Sequence, residues 1–329
     1  RDVAVEYIGS FDPIRSPFLP GVFGLFWMNS QLRAGIAPKL ASKDFDVLYT
    51  RSPALLPPLI ASGIPTILEL HQLPNRQKNL FVRQCNQCAL VTCLTSAMRS
   101  ILLEWGVHPA KLFVAGDAVD LARFVDLPSA QAARHVCATQ TDRLGGGYIG
   151  RLKTLSMEKG VGVLLHALAK LKDSQKFFGL IVGGPSVDQS EYEALAKDLG
   201  LTAEDVAFTG EIPAKDVPLS MVSCDILAMP FPDFPHYRLH MSPLKMFEYM
   251  AADRPIVTTD LPTIRDVLSE ETAIICEPGS VEGLAEALQW IGAHPEEAAM
   301  KAKAARTLVL QHTWEERMKR ILDAAMLKR

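Results

Sequence analysis

One helix start in the second half of the chain combines residue types that bind phosphate groups and sugar hydroxyls. The sequence from His240 to Glu248 reads H-M-S-P-L-K-M-F-E, in which Ser242 is suited to cap a helix and Pro243 to begin it. Free N–H groups at a helix N-terminus bind phosphate oxygens. Glu248 lies one turn after Leu244 on the same face, where its carboxylate can accept hydrogen bonds from both hydroxyls of a ribose. An exposed glutamate without function is the alternative that this segment alone leaves open.

A second charged segment follows a strand-like run and reads G-R-L-K-T-L-S-M-E-K-G from Gly150 to Gly160. Arg151 and Lys159 lie near the two ends of this loop, and fixed cations in such a position can hold a diphosphate. They would stabilise the negative charge that develops when a nucleoside diphosphate leaves a sugar. Solvated surface charges without a binding role are the alternative interpretation of this pair.

Strand-like and helix-like segments alternate along nearly the whole chain, which predicts parallel sheets with crossover helices. The strand candidates are Val3–Ile8, Asp46–Tyr49, Thr66–Leu70, Leu90–Cys93, Leu112–Ala115, Tyr148–Gly150, Phe178–Val182, Val206–Phe208, Ile226–Met229, Pro255–Thr258 and Ala273–Cys276. The helix candidates are Val22–Leu40, Asn75–Gln84, Ala97–Trp105, Val161–Leu171, Glu191–Leu199, Pro243–Ala252 and Val281–Ile291. The sequence therefore predicts an α/β protein with two doubly wound sheets.

The region Asp126–Leu144 shows no clear periodicity, and we interpret it as the linker between two domains. We expect an N-terminal domain at 1–143, a C-terminal domain at 144–312 and a final helical segment at 313–329. The length of 329 residues suits two domains. A Gly-Gly-Pro turn follows the strand candidate Phe178–Val182, and ligands of open α/β sheets bind beyond such strand ends.

Taken in order, these segments resemble the retaining glycosyltransferases of the GT-B class, family 4, from Tyr148 to about Trp314. The matching motifs are G-R-L…K-G at Gly150–Gly160, I-V-G-G-P at Ile181–Pro185, V-A-F-T-G at Val206–Gly210, S-C-D-I-L-A-M-P at Ser223–Pro230, S-P-L-K-M-F-E-Y-M-A at Ser242–Ala251 and P-I-V-T-T-D at Pro255–Asp260. The combination is specific, although each motif alone is not. The resemblance implies a GT-B fold, in which two Rossmann-like domains face each other across a cleft.

The resemblance also implies transfer of a sugar from a nucleoside-diphosphate sugar to a hydroxyl of a glycan or lipid-linked acceptor, with retention of the anomeric configuration. The domain at 144–312 would bind the donor, and the segment 313–329 would cross back to the N-terminal domain. His71, in the run E-L-H-Q, resembles a strand-end histidine of the family and is the candidate catalytic residue near the transferred sugar.

The implied donor-binding residues are Gly150, Arg151, Lys159, Glu211, Ile212, His240, Ser242, Leu244, Lys245 and Glu248. Phosphate would be bound by Arg151, Lys159 and the N–H of Leu244, the ribose by Glu248, and the base by backbone around Glu211 and Ile212. The turn from Asp117 to Asp120, followed by Phe124, is similar to the family's domain-closing turn.

The sequence departs from the family pattern at three places. The family often has a glutamate near the transferred sugar, eight residues before its ribose-binding glutamate, and His240 stands there in this chain. The spacing from Arg151 to Lys159 is about three residues longer than the spacing that the resemblance implies. The chain also opens on what resembles the second strand of the N-terminal sheet, so we expect a truncated chain.

Composition limits the partners. The net charge of −3 argues against nucleic acid, because binding its phosphates requires a basic surface. The first 143 residues carry 14 Lys and Arg against 11 Asp and Glu, which suits either ordinary scatter or peripheral association with the inner face of a membrane. The apolar run from Pro17 to Met28 is too short to cross a bilayer. With no recognisable signal peptide, we expect a cytoplasmic protein.

No metal ion and no cofactor beyond the sugar nucleotide, which is a co-substrate, are expected. The sequence has no convincing Asp-x-Asp motif at a strand end, and the C-x-x-C of Cys85 and Cys88 lacks further ligands. Two other functions stay open: a nucleotide-sugar epimerase on the same fold, and a non-catalytic nucleotide-sugar-binding protein, which His240 would suit. A dinucleotide dehydrogenase is disfavoured, because no G-x-G-x-x-G follows an early strand.

Overall fold

The computed structural model describes residues 34–41, 45–136, 142–154, 156–174 and 176–326. It divides the chain into two compact units, one formed by Arg1–Ala115 with Arg320–Arg329 and the other by Gly116–Lys319. The strand predicted at Val3–Ile8, the apolar run from Pro17 to Met28 and the first part of the helix predicted at Val22–Leu40 lie outside the described residues.

The first unit is built on a parallel sheet. Its described strands pair in chain order and are β1 (Leu48–Thr50), β2 (Thr66–Leu70), β3 (Leu90–Cys93) and β4 (Leu112–Val114). Helix α1 (34–41) precedes them, and α2 (Leu56–Ala61), α3 (Lys78–Gln87) and α4 (Ser96–Glu104) connect them. Every residue of β2 and β3 is buried, which is typical of parallel strands that are covered on both faces.

The second unit contains a larger parallel sheet and a short antiparallel hairpin. The strands are β5 (Leu144–Ile149), the hairpin strands β6 (Lys153–Thr154) and β7 (Met157–Glu158), then β8 (Phe177–Val182), β9 (Val206–Gly210), β10 (Ile226–Met229), β11 (Ile256–Thr259) and β12 (Ile274–Cys276). The helices are α5 (Ala130–Val136), α6 (Val161–Leu171), α7 (Ser186–Asp198), α8 (Val217–Ser223), α9 (Pro235–Leu239), α10 (Leu244–Ala251), α11 (Pro262–Arg265), α12 (Val281–Ala293), α13 (Pro295–Leu308) and α14 (Trp314–Met326).

The order of the strands in the large sheet is β12-β11-β10-β5-β8-β9. Counted from β5 as the first strand, this is the 3-2-1-4-5-6 order of a doubly wound sheet. Neighbouring residues of β5 point to opposite faces, and Tyr148 and Ile149 accordingly belong to two different buried cores. The chain reverses its direction of winding between β5 and β10, so the crevice beyond the carboxyl ends of these two strands is where such a sheet binds ligands.

The segment from Gly116 to α5 packs on the second unit, whereas the sequence analysis placed the domain boundary at 143. Phe124 and Ala133 are buried in one of its cores, and Arg134 forms an ion pair with Asp225. A helix, α5, therefore occupies part of the region that we interpreted as a linker. Its short length and polar residues, A-Q-A-A-R-H-V, conceal this packing in the sequence.

The chain enters and leaves the second unit at one place. The N–H of Val119 donates to the carbonyl of His312 at 3.0 Å, and Nε of Arg317 donates to the carbonyl of Gly116 at 2.6 Å. Helix α14 then continues past Lys319 into the first unit, where Ile321 is buried with residues of that unit's sheet. In the part of the chain that the structure describes, no helix is both long and apolar enough to span a membrane.

Candidate functional site

Gly150 and Gly183 lie at the carboxyl ends of the neighbouring strands β5 and β8, and β5 borders the reversal point of the large sheet. We call this pair of glycines the glycine floor. Gly150 follows β5 with φ of 136°, and Gly183 follows β8 with φ of 144°. The N–H of Gly150 donates to the carbonyl of Val182 at 2.8 Å, and a Cβ on Gly183 would lie only 2.0 Å from the carbonyl oxygen of Gly150. Because side chains are excluded at both positions, backbone is what a ligand meets at these strand ends.

Lys245 places a buried ammonium group beside this floor. Lys245 lies in the first turn of α10 and is only 7% exposed. Its Nζ has no hydrogen-bond partner among the described residues. Nζ lies 3.5 Å from the centre of the Tyr148 ring and 3.0 Å from the position that a Cβ on Gly150 would take. Burial, reinforced by the charge of Lys159, holds the pKa of Lys245 well below its ordinary value, and the charge of Glu248 opposes this shift.

The two cations predicted as a diphosphate clamp differ in their surroundings. Lys159 is half-buried, and its burial together with the charge of Arg151 lowers the pKa of Lys159 to about 8. The side chain of Arg151 is exposed, while its carbonyl accepts a hydrogen bond of 2.7 Å from the Tyr148 hydroxyl. No carboxylate of the described residues forms an ion pair with Arg151, Lys159 or Lys245. Burial and mutual repulsion disfavour positive charge at these lysines in the free protein, and an anion bound beside them would restore it.

The helix start differs from the prediction in its capping. Helix α10 begins at Leu244, one residue later than expected, and no side chain of the described residues caps its N-terminus. The hydroxyl of Ser242, predicted as the cap, instead accepts a hydrogen bond of 2.7 Å from the N–H of Asp117. Ser242 therefore anchors the segment that enters the second unit, and the first turn of α10 is left to other acceptors.

Glu248 lies one turn into α10, and among the described residues only one oxygen of its carboxylate has a side-chain partner. Its Oε1 accepts a hydrogen bond of 2.8 Å from Nη1 of Arg123, whose Nη2 donates to the carbonyl of Ala214 at 2.7 Å. The Glu248 side chain is 19% exposed, so part of the carboxylate faces solvent. Sequence reasoning missed Arg123; its place directly before Phe124, in the turn that resembles the family's, was the available signal.

The buried hydroxyl of Tyr249 holds α10 against β5. The hydroxyl of Tyr249 accepts a hydrogen bond from the N–H of Ile149 at 2.8 Å and donates one to the carbonyl of the same residue at 3.2 Å. Burial raises the pKa of Tyr249 and of Tyr148 above the ordinary value, so both hydroxyls keep their protons. The position of Lys245 relative to Gly150 is consequently set by this helix–strand contact. Neither tyrosine was among the predicted site residues.

The segment from Pro230 to Met241 contains α9 and is tied down on both sides. The hydroxyl of Tyr237 donates to the carbonyl of Glu158 at 2.8 Å, and Thr259 Oγ1 donates to the carbonyl of Phe231 at 2.8 Å. The predicted site residue His240 directly follows α9, and its ring centre lies 5.7 Å from that of His236. Its Nδ1 is buried and has no hydrogen-bond partner among the described residues.

Both histidines of this segment have lowered pKa values, which favours the uncharged imidazole. Burial and the charge of Lys159 lower the pKa of His236, and burial and His236 lower the pKa of His240. An uncharged imidazole with an unpartnered buried nitrogen is suited to exchanging hydrogen bonds with a neutral sugar hydroxyl.

The predicted base-reading residues follow β9. Glu211 is exposed, and its side chain lies against Gly184, since a Cβ there would come within 2.6 Å of the Glu211 Cγ. Ile212 is half-buried and packs against the core. The carbonyl of Gly210 accepts a hydrogen bond of 2.9 Å from the N–H of Gly183, so this segment adjoins the glycine floor.

His71 lies in the first unit, directly after β2. Nη2 of Arg51 donates to its Nδ1 at 2.9 Å, and its Nε2 contacts the carboxylate of Glu69, which also accepts a hydrogen bond from the Tyr49 hydroxyl. Arginine can only donate, so Nδ1 is the acceptor and Nε2 carries the proton toward Glu69. The histidine is thus fixed in one tautomer and one orientation.

The C-x-x-C pair is a core feature. Cys85 and Cys88 are both buried, and burial raises the pKa of both thiols, that of Cys88 to about 12. Thiols in this state are poor nucleophiles and poor metal ligands. Within the described ranges, no group of three or more histidine, cysteine, aspartate and glutamate side chains is placed to hold a metal ion.

Two family sequence profiles match the chain. The profile described as Glycosyl transferases group 1 matches residues 145–294, and the profile described as Glycosyltransferase Family 4 matches residues 4–123. The chain belongs to the GT-B glycosyltransferases. The predicted GT-B glycosyltransferase family, the α/β fold with Rossmann-like domains and the assignment as a glycosyltransferase are therefore confirmed, and retention stays a prediction.

Individual relatives agree with this family. A 2-deoxystreptamine glucosyltransferase from Streptomyces kanamyceticus is 27% identical over 282 residues, which are 85% of this chain and 70% of that protein. A glycosyltransferase from Rickettsia africae superimposes with a TM-score of 0.77 at 18% identity, covering 95% of this chain and 83% of that one. HepE from Anabaena, solved in complex with UDP-glucose, gives 0.70 at 18% identity, covering 90% and 82%.

Proposed function

We propose that this glycosyltransferase uses a nucleoside-diphosphate sugar as its donor and binds the diphosphate at the glycine floor beneath Lys245. The observation that carries the proposal is the buried ammonium of Lys245, which has no partner among the described residues and faces Gly150. A cation desolvated in this way is costly unless an anion arrives to pair with it. The N-terminus of α10 and Lys159 add positive potential at the same place.

The chemistry follows from the leaving group. When the bond between the anomeric carbon and the donor phosphate breaks, negative charge develops on the phosphate oxygens. Lys245, Lys159 and Arg151 would stabilise that charge more strongly in the transition state than in the ground state. We propose that a hydroxyl of the acceptor attacks on the face that the diphosphate leaves, with retention, and passes its proton to an oxygen of the departing phosphate. We also propose that no metal ion is required.

Two histidines would contact the transferred sugar. His240 would contact a hydroxyl of the transferred sugar through its unpartnered Nδ1, in place of the glutamate that family members often have there. His71, oriented by Glu69, would act on the reacting sugar. Glu248 would accept the ribose hydroxyls, and the backbone at Glu211 and Ile212 would read the base.

The names of the relatives suggest which donors and acceptors to test first. HepE is solved with UDP-glucose, and the Streptomyces protein is named a glucosyltransferase for 2-deoxystreptamine, a small polar acceptor. We therefore propose UDP-sugars as the first donors to test, and a glycan or lipid-linked hydroxyl compound as the acceptor. Peripheral association with the inner face of a membrane remains a prediction from the charge of the first 143 residues.

The test has two stages. Calorimetric titration with UDP, GDP and ADP identifies the base, and incubation with the matching glucose, galactose and N-acetylglucosamine nucleotides plus an acceptor panel follows, with products read by mass spectrometry and NMR. Transfer with an unchanged anomeric configuration is expected. Epimerised donor without transfer would establish the epimerase instead, and tight binding without any reaction would establish the binding protein.

A further inference from the structure

Arg123 joins Glu248, the proposed ribose ligand, to the segment that directly follows the proposed base-reading residues Glu211 and Ile212. Through Nη1 it holds Oε1 of Glu248, the proposed ribose ligand, at 2.8 Å. Through Nη2 it holds the carbonyl of Ala214 at 2.7 Å, three residues after Glu211. The guanidinium is a rigid planar fork, so it fixes the separation of the two groups that it bridges.

The backbone that carries Arg123 is itself immobilised on the second unit. Asp120 Oδ1 accepts a hydrogen bond of 3.0 Å from the N–H of Ala122 and so caps a short 3₁₀ helix, Leu121–Phe124, that contains the arginine. Phe124 is buried in the core of the unit. Val119 and Asp117 are bound by backbone N–H donation to His312 and Ser242. The arginine is delivered by an anchored segment rather than by a free loop.

The engagement of Glu248 is incomplete. Only Oε1 of the carboxylate is bound by Arg123 in the described structure, and the side chain retains 19% exposure. A glutamate loses freedom in its side-chain torsions when it binds a ligand, and an ion pair on one oxygen removes that freedom in advance. The second oxygen stays available to accept from a ribose hydroxyl.

We infer that Arg123 is a positioning residue for the nucleoside half of the donor, which orients Glu248 toward the ribose and holds the Ala214 backbone in register with it. The inference rests on the proposed function, because it requires a nucleotide to bind in this unit. The inference assigns different residues to the two parts of the donor. Arg123 supports binding of the nucleoside, and the lysines bind the diphosphate.

The experiment compares Arg123→Met and Arg123→Lys with wild type, using calorimetric affinity for UDP and for inorganic pyrophosphate. Arg143→Met is a matched control, because Arg143 likewise bridges one carboxylate, Asp205, and one backbone carbonyl, that of Glu204. We expect Arg123→Met to bind UDP about tenfold more weakly, a change that corresponds to the loss of one charge-assisted hydrogen bond. Its affinity for pyrophosphate should be unchanged. Arg123→Lys should recover part of the loss, and Arg143→Met should bind both ligands as wild type does.

A double variant tests whether Arg123 acts through Glu248. In a Glu248→Gln background, Arg123→Met should weaken UDP binding much less than it does in wild type. Equal losses for UDP and pyrophosphate would indicate a merely structural role and overturn the inference, as would unchanged UDP affinity in Arg123→Met. If wild type binds pyrophosphate but none of UDP, GDP and ADP, the proposed function fails, and the inference fails with it.

Discussion

The ammonium nitrogen of Lys245 lies 3.5 Å from the centre of the Tyr148 ring, with no hydrogen-bond partner among the described residues. The attraction of a cation to an aromatic face offsets only part of the cost of burying a charge. We therefore expect this residue to lower the stability of the ligand-free protein and to gain its full set of interactions when an anion is bound.

Replacing Lys245 by methionine is the first test of this view. Met fills a similar volume without a charge, so the variant should unfold at an equal or higher temperature, while its affinity for UDP falls by about tenfold or more. Thermal unfolding and calorimetry measure the two effects. Lys170→Met, which removes an exposed lysine of the same unit that pairs with Glu282, is the control and should leave UDP affinity unchanged. A destabilised variant with normal affinity would contradict the phosphate role.

The pKa of Lys159 predicts how UDP affinity depends on pH. Burial and Arg151 lower this pKa to about 8, so the lysine is charged in the free protein below pH 8 and mostly neutral above it. Binding above pH 8 must take up a proton, and that cost weakens the contribution of Lys159. The ratio of the UDP dissociation constants of Lys159→Met and wild type should therefore be largest near pH 7 and approach one near pH 10. A ratio that is constant over this range would show that Lys159 does not contact the phosphates.

His71 should affect turnover and not donor binding. His71→Ala is expected to lower kcat for sugar transfer by about a hundredfold, at the lower end of the range for an acid–base or hydroxyl-binding residue, with UDP affinity unchanged. Glu69→Gln should give a smaller loss, because the tautomer of His71 is then less strongly fixed. His108→Ala changes an exposed histidine of the same unit and serves as the control. An unfolded His71→Ala protein would assign the residue to structure instead.

Tyr249 makes a prediction about stability. Tyr249→Phe leaves the N–H of Ile149 buried without its acceptor, which should lower the free energy of unfolding by about 1–3 kcal/mol. Urea denaturation monitored by circular dichroism measures the change. Tyr192→Phe changes a tyrosine of the same unit that is 6% exposed and whose hydroxyl makes no hydrogen bond in the described part of the chain, so it should cost less. Equal losses in the two variants would mean that the contact between α10 and β5 is not held by this hydroxyl.

The sheets could be predicted from the sequence, because buried parallel strands are continuous apolar runs. The predicted Thr66–Leu70 and Leu90–Cys93 coincide with β2 and β3. Helix α13 was missed, although its run of alanines and charged residues has high helix propensity. Its few large apolar residues give only a weak helical periodicity, so the sequence pattern does not reveal the helix.

The parts that could not be predicted depend on contacts between distant residues. Arg123 and Glu248 are 125 residues apart, and so are Asp117 and Ser242. No local pattern shows that Asp117 takes the hydroxyl of Ser242 away from the helix start, or that the segment after Gly116 belongs to the second unit. The motifs predict which residues bind the donor, and tertiary structure decides how Glu248 and Lys245 are oriented.

The chain enters the second unit near Val119 and leaves it near His312, and the hydrogen bond between these two residues bears on how such proteins can be rearranged. A unit whose entry and exit are neighbours can be inserted into, or removed from, another polypeptide without stretching either chain. Residues 116–319 form a unit of this kind. A short peptide that joins its two ends, with new termini opened in a surface loop, should preserve every strand of the large sheet in its present order.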